Sequence, residues 1–429
     1  MADFLALLTD IVGAANVLAG QDIPPEYAHD ESLTVEPVLP AYVVLPGDAN
    51  EVAAIVRVAA EHGIAVTARG SGSGMSGACV PRADGVCVSF ARMNAVREID
   101  VANQVAVVQP GVTLAELDDA AAEHGLTYPV YPGEMSGSLG GNVNTNAGGM
   151  RAVKYGVTRN NVLGLRAVLG TGELIRTGGK ITKVSTGLDL TQLIIGAEGT
   201  LALVTEVTVK LRPRLPHGAS LLAPFPDLSS VLDAVPKIIA SGLAPHILEY
   251  LDNLTLAAIS YTEKLSLGIS ENIRDIASAY LVVALENRDS DRLNADVEIA
   301  GELLGGLGAM DVYVLDGGSA RKLIEAREKA FWTAKAAGAD DIIDVVVPRS
   351  SMAEFLARTR EIAAAAEAGA IGCGHAGDGN VHLGIFCEDA RKRTELLHDI
   401  FAVGVELGGY ISGEHGIGQA KKGYFLRLT

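Results

Sequence analysis

Ala68-Arg-Gly-Ser-Gly-Ser-Gly-Met-Ser-Gly77 is the stretch on which the fold turns. It holds a literal G-x-G-x-x-G at Gly72, Gly74 and Gly77, and it comes directly after Ile64-Ala-Val-Thr-Ala68, which reads as a strand. A nicotinamide-type dinucleotide fold also needs a helix to open here, so that its N-terminus faces the pyrophosphate. The chain instead continues Ala78-Cys-Val-Pro-Arg-Ala-Asp-Gly-Val-Cys-Val-Ser-Phe90, where Pro81 and Asp84-Gly85 break any helix. The doubly wound reading fails on that context. The loop still suits a phosphate, because consecutive glycines let backbone N–H groups converge on an anion. A second run, Ser136-Gly-Ser-Leu-Gly-Gly-Asn-Val-Asn-Thr-Asn-Ala-Gly-Gly149, offers another wall.

Around the loop, strand and helix patterns alternate from residue 40 to 126. Asn50 to Gly63 reads as a helix with an Asn cap and a Gly stop, and Thr113 to Gly125 echoes it, both ending in Ala-Ala-Glu-His-Gly. Leu201 to Leu211 is strand-like, and Arg212-Pro-Arg-Leu-Pro-His217 marks a domain boundary. Beyond it the helices lengthen. Ser319 to Trp332 reads as a helix whose stripe Ile324, Arg327 and Phe331 places an arginine on the apolar face. Such an Arg either snorkels to the surface or faces an anion, and spacing alone favours snorkelling. The Met1–Val12 stretch reads as a short amphipathic helix, with acids where a signal peptide needs positive charge.

Two glycine-rich strings near the C-terminus carry three of the nine histidines: Gly374-His-Ala-Gly-Asp-Gly-Asn-Val-His382 and Ser412-Gly-Glu-His-Gly-Ile-Gly418. The first reads as a hairpin with a two-residue type I′ turn at Asp378-Gly379, which pairs His375 with His382. Directly opposed side chains share a face with Cβ atoms about 5 Å apart, so two imidazoles there suit one cation. Glu414 completes a His/His/Glu set with an open position, and His415 is left as a proton acceptor. Asp378 and Asn380 read as turn-shaping residues.

The net charge of −18 argues against nucleic acid, which needs a basic face. Cys79, Cys87, Cys373 and Cys387 form no C-x-x-C pair, so reduced thiols and a cytoplasmic setting are expected. No apolar stretch is long enough to span a bilayer. Peripheral membrane attachment and a homodimer stay open.

Taken in order, the loop at 68–77, Gly140 to Gly149, Lys154-Tyr-Gly-Val-Thr-Arg159, Ile195-Gly-Ala-Glu-Gly-Thr-Leu-Ala-Leu-Val-Thr205 and the two histidine strings resemble the vanillyl-alcohol oxidase/p-cresol methylhydroxylase (PCMH) flavoproteins. The histidine strings narrow the resemblance to the branch of the glycolate oxidase flavin subunit, D-lactate dehydrogenase and D-2-hydroxyglutarate dehydrogenase. It implies an α+β chain: an N-terminal helical segment (1–37), a two-subdomain PCMH-type FAD-binding domain (38–215), a ferredoxin-like substrate cap with an antiparallel sheet (216–410) and a catalytic segment (411–429).

The resemblance assigns FAD to Arg69, Gly70, Ser71, Gly72, Ser73 and Gly74, to Ser136, Gly137, Gly140, Gly141, Asn146, Ala147, Gly149 and Tyr155, and to Glu198, Gly199 and Val204. Ser73 stands where members with covalent flavin carry His, which implies non-covalent FAD. His375, His382 and Glu414 match the family's metal ligands and His415 its base; zinc suits the set, and manganese or iron(II) is admissible. Arg327, Arg349 and Lys421 are the expected partners of a substrate carboxylate. The implied reaction is hydride transfer from a D-2-hydroxy acid to flavin N5. With no haem or iron–sulfur motif, electrons leave to a quinone, a cytochrome, an electron-transfer flavoprotein or oxygen.

Three departures bear on this. Relatives carry a longer C-terminus than Leu426-Arg-Leu-Thr429, with a segment that returns to the FAD domain. Gly384 stands where an Asn is often found, and Phe331 and Ile342 stand where the hydroxyglutarate branch has Thr and Lys. These point to D-lactate, glycolate or a bulkier apolar 2-hydroxy acid, with D-2-hydroxyglutarate or a non-redox alkyl-dihydroxyacetone-phosphate-synthase-like chemistry as alternatives.

Overall fold

A computed structural model describes residues 2–429, with side chains from Phe4 onward. The chain is α+β. Its first half builds two small sheets. One has strand order Val17–Ala19, Tyr42–Val44, Val86–Ser89, Val66–Arg69, and its last three strands are parallel. The other is antiparallel throughout, with order Val96–Asp100, Val105–Val108, Ala202–Lys210, Val162–Leu169, Leu174–Gly178. This is the two-subdomain arrangement that the resemblance implies.

The N-terminal segment is more than helical. Helix Ala2–Val12 buries Phe4, Leu8 and Val12 at four-residue spacing against the parallel sheet. Each such side chain contributes on the order of 1.5–3 kcal/mol. The chain then adds Val17–Ala19 to the sheet edge. Helix Ala49–Glu61 is capped by Asp48, not Asn50: the Asp48 carboxylate accepts from the backbone N–H groups of Asn50 and Glu51. An ionised side chain is the better acceptor at the positive end of the helix dipole. Thr113 and Glu116 form a reciprocal capping box on helix Leu114–Ala122.

From His217 the chain builds a seven-stranded antiparallel sheet. Its order is Tyr313–Leu315, His217–Phe225, Ala279–Asn287, Ile247–Asp252, Gly369–His375, Asn380–Phe386, Asp341–Val346. Side chains alternate across it. One face, with Leu248, Tyr250, Val345, Val381 and Leu383, packs on helices Leu228–Ala240, Ser290–Gly306, Met352–Ala365 and Ala390–Glu406 and forms the largest core. The opposite face carries the site. Among the described residues, no helix is long and apolar enough to cross a membrane. All four cysteines are free.

Candidate active site

The hairpin differs from the sequence expectation in a way that keeps both histidines on one face. Ala376-Gly377-Asp378-Gly379 forms a four-residue connection, with the N–H groups of Asp378 and Gly379 both donating to the His375 carbonyl. The register is therefore shifted by two: His375 pairs with Asn380, and His382 with Cys373. A two-residue shift preserves the face, so the histidines become diagonal neighbours on one side of the sheet. Their rings meet edge to face with centroids 4.8 Å apart.

Sheet parity collects the remaining groups. Asp344 lies opposite His382, and Leu251 opposite Cys373, which puts Glu249, two residues before Leu251, on the same face as His375. The Glu249 carboxylate sits 2.6 Å from His375 Nδ1, and Nε2 of that ring lies 3.0 Å from Glu414 Oε1. The same Glu414 oxygen is 3.2 Å from His382 Nε2, but without hydrogen-bond alignment, so that buried nitrogen has no partner. The ligand atoms of His375, His382 and Glu414 all lie within 4.8 Å of one another. Two imidazole nitrogens and a carboxylate converging on one point, one of them an orphaned buried acceptor, fit a divalent cation. Glu249 then orients His375 from behind.

Asp344 organises the second motif. It is fully buried and accepts the backbone N–H groups of Gly413, Glu414 and His415 at 2.8, 2.7 and 2.9 Å. It also receives Ser412 Oγ and the Lys421 ammonium. One carboxylate on the sheet thus sets the backbone from which Glu414 and His415 project. His415 Nδ1 stands 3.4 Å from Asp344 Oδ1, out of line for a hydrogen bond. The His382 and His415 ring centroids are 5.2 Å apart.

Burial pushes the His415 imidazole down to about 4, only partly opposed by Asp344, so the ring is neutral at neutral pH. Burial also favours the neutral forms of Asp344 and Glu414. The cations around Asp344 and the two histidines against Glu414 outweigh it and hold both carboxyls below their ordinary range. His375 lies between two carboxylates, which overcome its burial and raise its pKa well above the usual imidazole value.

Two hollows meet at this cluster. The cleft in the first half is lined by Gly70, Ser71, Gly72, Ser73, Gly74, Gly137, Gly140, Gly141, Ala147, Glu198, Gly199 and Val204. A cavity of about 320 Å³ lies against the sheet, lined by Arg327, Phe331, Ile342, Ile371, Gly384 and Phe386 among others. Met75, Pro132, Glu414 and His415 line both.

The other expected residues do not line the cleft. Arg69 is buried, donates to the His29 carbonyl at 2.7 Å and supports Gly72, where a Cβ would strike its guanidinium. Ser136 is exposed and bonded to Glu134; Asn146, in a left-handed conformation, accepts from the Arg159 N–H. Gly149 packs on the Tyr131 carbonyl at φ +113°, where a side chain is both strained and blocked. Tyr155 donates to Glu286 across the seam between the two halves.

Of the three expected carboxylate partners, Arg327 alone reaches the cavity. It is nearly buried and neither snorkels nor lies in an unbroken helix, since Gly317–Glu328 ends beside it and Ala330–Ala336 starts anew. Its Nη2 lies 2.9 Å from Glu249 Oε2, yet Nε and Nη2 have no aligned acceptor. Arg349 is exposed and donates to the Gly377 carbonyl at 2.5 Å, which holds the hairpin loop. Lys421 is committed to Asp344. Glu249 and Asp344 went unnoticed in the sequence. Their signal was an acid inside an apolar strand, in Ile247-Leu-Glu-Tyr-Leu251 and Ile342-Ile-Asp-Val-Val346.

Residues 40–178 match the FAD binding domain family, and residues 214–428 match the C-terminal domain of FAD linked oxidases. The chain is 64% identical over 428 residues to an uncharacterized FAD-linked oxidoreductase of Mycobacterium tuberculosis, covering all of this chain and 93% of the relative. It is 36% identical to a D-lactate dehydrogenase of Anaerostipes hadrus (96% of this chain, 89% of the relative) and 36% identical to the glycolate oxidase subunit GlcD of Bacillus subtilis (97% and 87%). The solved structure of p-cresol methylhydroxylase with substrate bound shares the fold at a TM-score of 0.81 and 16% identity, over 98% of this chain and 89% of that one. The chain therefore belongs to the FAD-linked oxidases, as an FAD-linked oxidoreductase of the branch that includes D-lactate dehydrogenase and GlcD.

Proposed function

We propose that this protein is an FAD-dependent dehydrogenase that oxidises a D-2-hydroxy acid to the 2-oxo acid. The observation that carries the reading is the meeting of cleft and cavity at Glu414 and His415, with His375 and His382 beside them. When bound, non-covalent FAD in the cleft supplies a hydride acceptor, and a divalent cation, zinc by donor type or else manganese or iron(II), supplies Lewis acidity toward the substrate hydroxyl. His375, His382 and Glu414 would hold the cation.

The chain's own groups divide the remaining work. Arg327 lines the cavity with its guanidinium held beside Glu249, and a planar guanidinium there suits a grip on the substrate carboxylate. Arg349 and Lys421, committed elsewhere, act on that anion only through the loops they hold. His415 is neutral and takes the hydroxyl proton on Nε2, with Nδ1 turned toward Asp344. Electrons leave to an external quinone, cytochrome or electron-transfer flavoprotein, and the setting is cytoplasmic or peripheral to a membrane.

The test is the visible spectrum of the FAD-loaded protein without oxygen, before and after a D-2-hydroxy acid is added. The oxidised-flavin band should bleach, and His415→Ala should abolish bleaching with FAD still bound. Turnover retained in that variant removes His415 from the mechanism.

A further inference from the structure

We infer that the cavity selects 2-hydroxy acids with an extended apolar side chain over lactate or glycolate, and that it rejects a second carboxylate. The inference rests on the dehydrogenase reading above and deepens it. Two observations carry it, size and wall chemistry.

The cavity of about 320 Å³ has room for on the order of ten waters, whereas lactate brings a single methyl group beyond its reacting carbon. The polar groups gather at one end, where His375, His382, Glu414, His415 and Arg327 would engage the hydroxyl and carboxylate. The rest of the space is bounded by helix Asn253–Glu263 with Leu254 and Ala258, by helix Ala330–Ala336 with Phe331 and Ala334, and by Ile342 and Phe386 from the sheet; Thr255, which donates to the Gly372 carbonyl, and Thr333 add neutral hydroxyls and no charge. Among the described residues lining this space, Arg327 is the one Lys or Arg, and Glu249 already faces it. Glu328 is the further charge, and it accepts from the Tyr131 hydroxyl.

A distal carboxylate would meet no cation and would lose its hydration, which is costly. An alkyl chain would displace water from an apolar wall instead. Gly384 keeps that wall low: it faces Ala334, and any longer side chain there would enter the space.

Each methylene transferred from water to such a wall is worth about a fourfold gain in kcat/KM, or roughly 60-fold over three. The experiment is anaerobic stopped-flow reduction of the holoenzyme by D-lactate, D-2-hydroxybutyrate, D-2-hydroxyhexanoate and D-2-hydroxyglutarate. The expected result is a rise in the second-order rate of bleaching along the monocarboxylate series, with D-2-hydroxyglutarate slowest. In Ala334→Phe, which fills the wall opposite Gly384, the hexanoate-to-lactate ratio should fall at least tenfold while bound FAD persists. D-lactate as the fastest reductant, or a ratio unchanged in the FAD-bound variant, overturns the inference and leaves the dehydrogenase reading standing. Flavin that none of the four acids bleaches overturns both.

Discussion

Asp344→Asn is the substitution that asks most of the structure. The residue is fully buried, and its carboxylate serves the Gly413, Glu414 and His415 backbone N–H groups together with Ser412 and Lys421. Asn keeps the shape and one acceptor oxygen, but its own N–H₂ then faces donors. Lys421, itself buried, is left with a charge and no counter-charge, and orphaning one member of a buried pair costs about 3–5 kcal/mol. For a domain of this size the upper half of that range lowers Tm by roughly 8–20 °C. Lys421→Met alone leaves Asp344 with its backbone donors and Ser412, so it should cost about 1–3 kcal/mol.

The double variant should then be more stable than the sum of the two by about 2 kcal/mol or more, since the orphaned ammonium is gone. Thermal denaturation at pH 7 and one fixed FAD concentration reads all four proteins, because bound ligand itself shifts Tm. The pH matters. Asp344 has a depressed pKa in the folded protein, so its contribution is complete above the unfolded carboxylate value of about 3.9 and is lost as pH falls below it. Strict additivity of the two substitutions would refute the claim that Asp344 and Lys421 act as one buried unit.

Other consequences are more local. Glu249→Gln removes the charge behind His375 Nδ1 and should weaken zinc binding by about 10- to 100-fold, read by competition with a chromophoric chelator. An unchanged affinity would exclude Glu249 from orienting that ring. Gly372→Ala would drive its Cβ into the His382 carbonyl, well inside contact distance, and should cost on the order of 3 kcal/mol in chemical denaturation. A wild-type midpoint would mean that the paired strands yield there. Burial pushes the His246 pKa down to about 4. Between about 6.5 and 4 the unfolded chain binds that proton and the folded one does not, so stability falls as pH falls through that window. The full loss is up to about 3 kcal/mol, and His246→Gln should flatten the Tm–pH curve. A slope left as steep would place the acid sensitivity elsewhere.

How far the site could be read from the sequence depended on the kind of signal each residue gave. The rejection of a nicotinamide fold rested on Pro81 and Asp84-Gly85, local features that no tertiary context reverses, and the chain after Gly77 indeed opens no helix before Val86. The hairpin expectation named the wrong turn, because Asp-Gly signals a two-residue loop only when the flanking residues can extend the ladder. Here Gly379 N–H folds back to His375, and its φ of +91° lets the loop pass under the Val347 carbonyl. His375 and His382 stay together because an even shift cannot move a side chain off its face; an odd one would have separated them.

Glu249 and Asp344 were illegible for a different reason. Each lies on another strand, 126 positions from His375 and 71 from His415, and sheet order alone brings them together. Yet an ionisable residue inside an apolar strand has to find a partner or forfeit its charge, so both announced that something cationic stood opposite. Arg349 and Lys421 show the converse. Their charge made them candidates for a carboxylate, but each was already satisfied, one by a loop carbonyl and one by Asp344. What distinguishes Arg327 is that its buried Nε and Nη2 lack aligned acceptors, and a cation so placed beside an apolar cavity is a stronger pointer to an anionic ligand than any spacing along the chain.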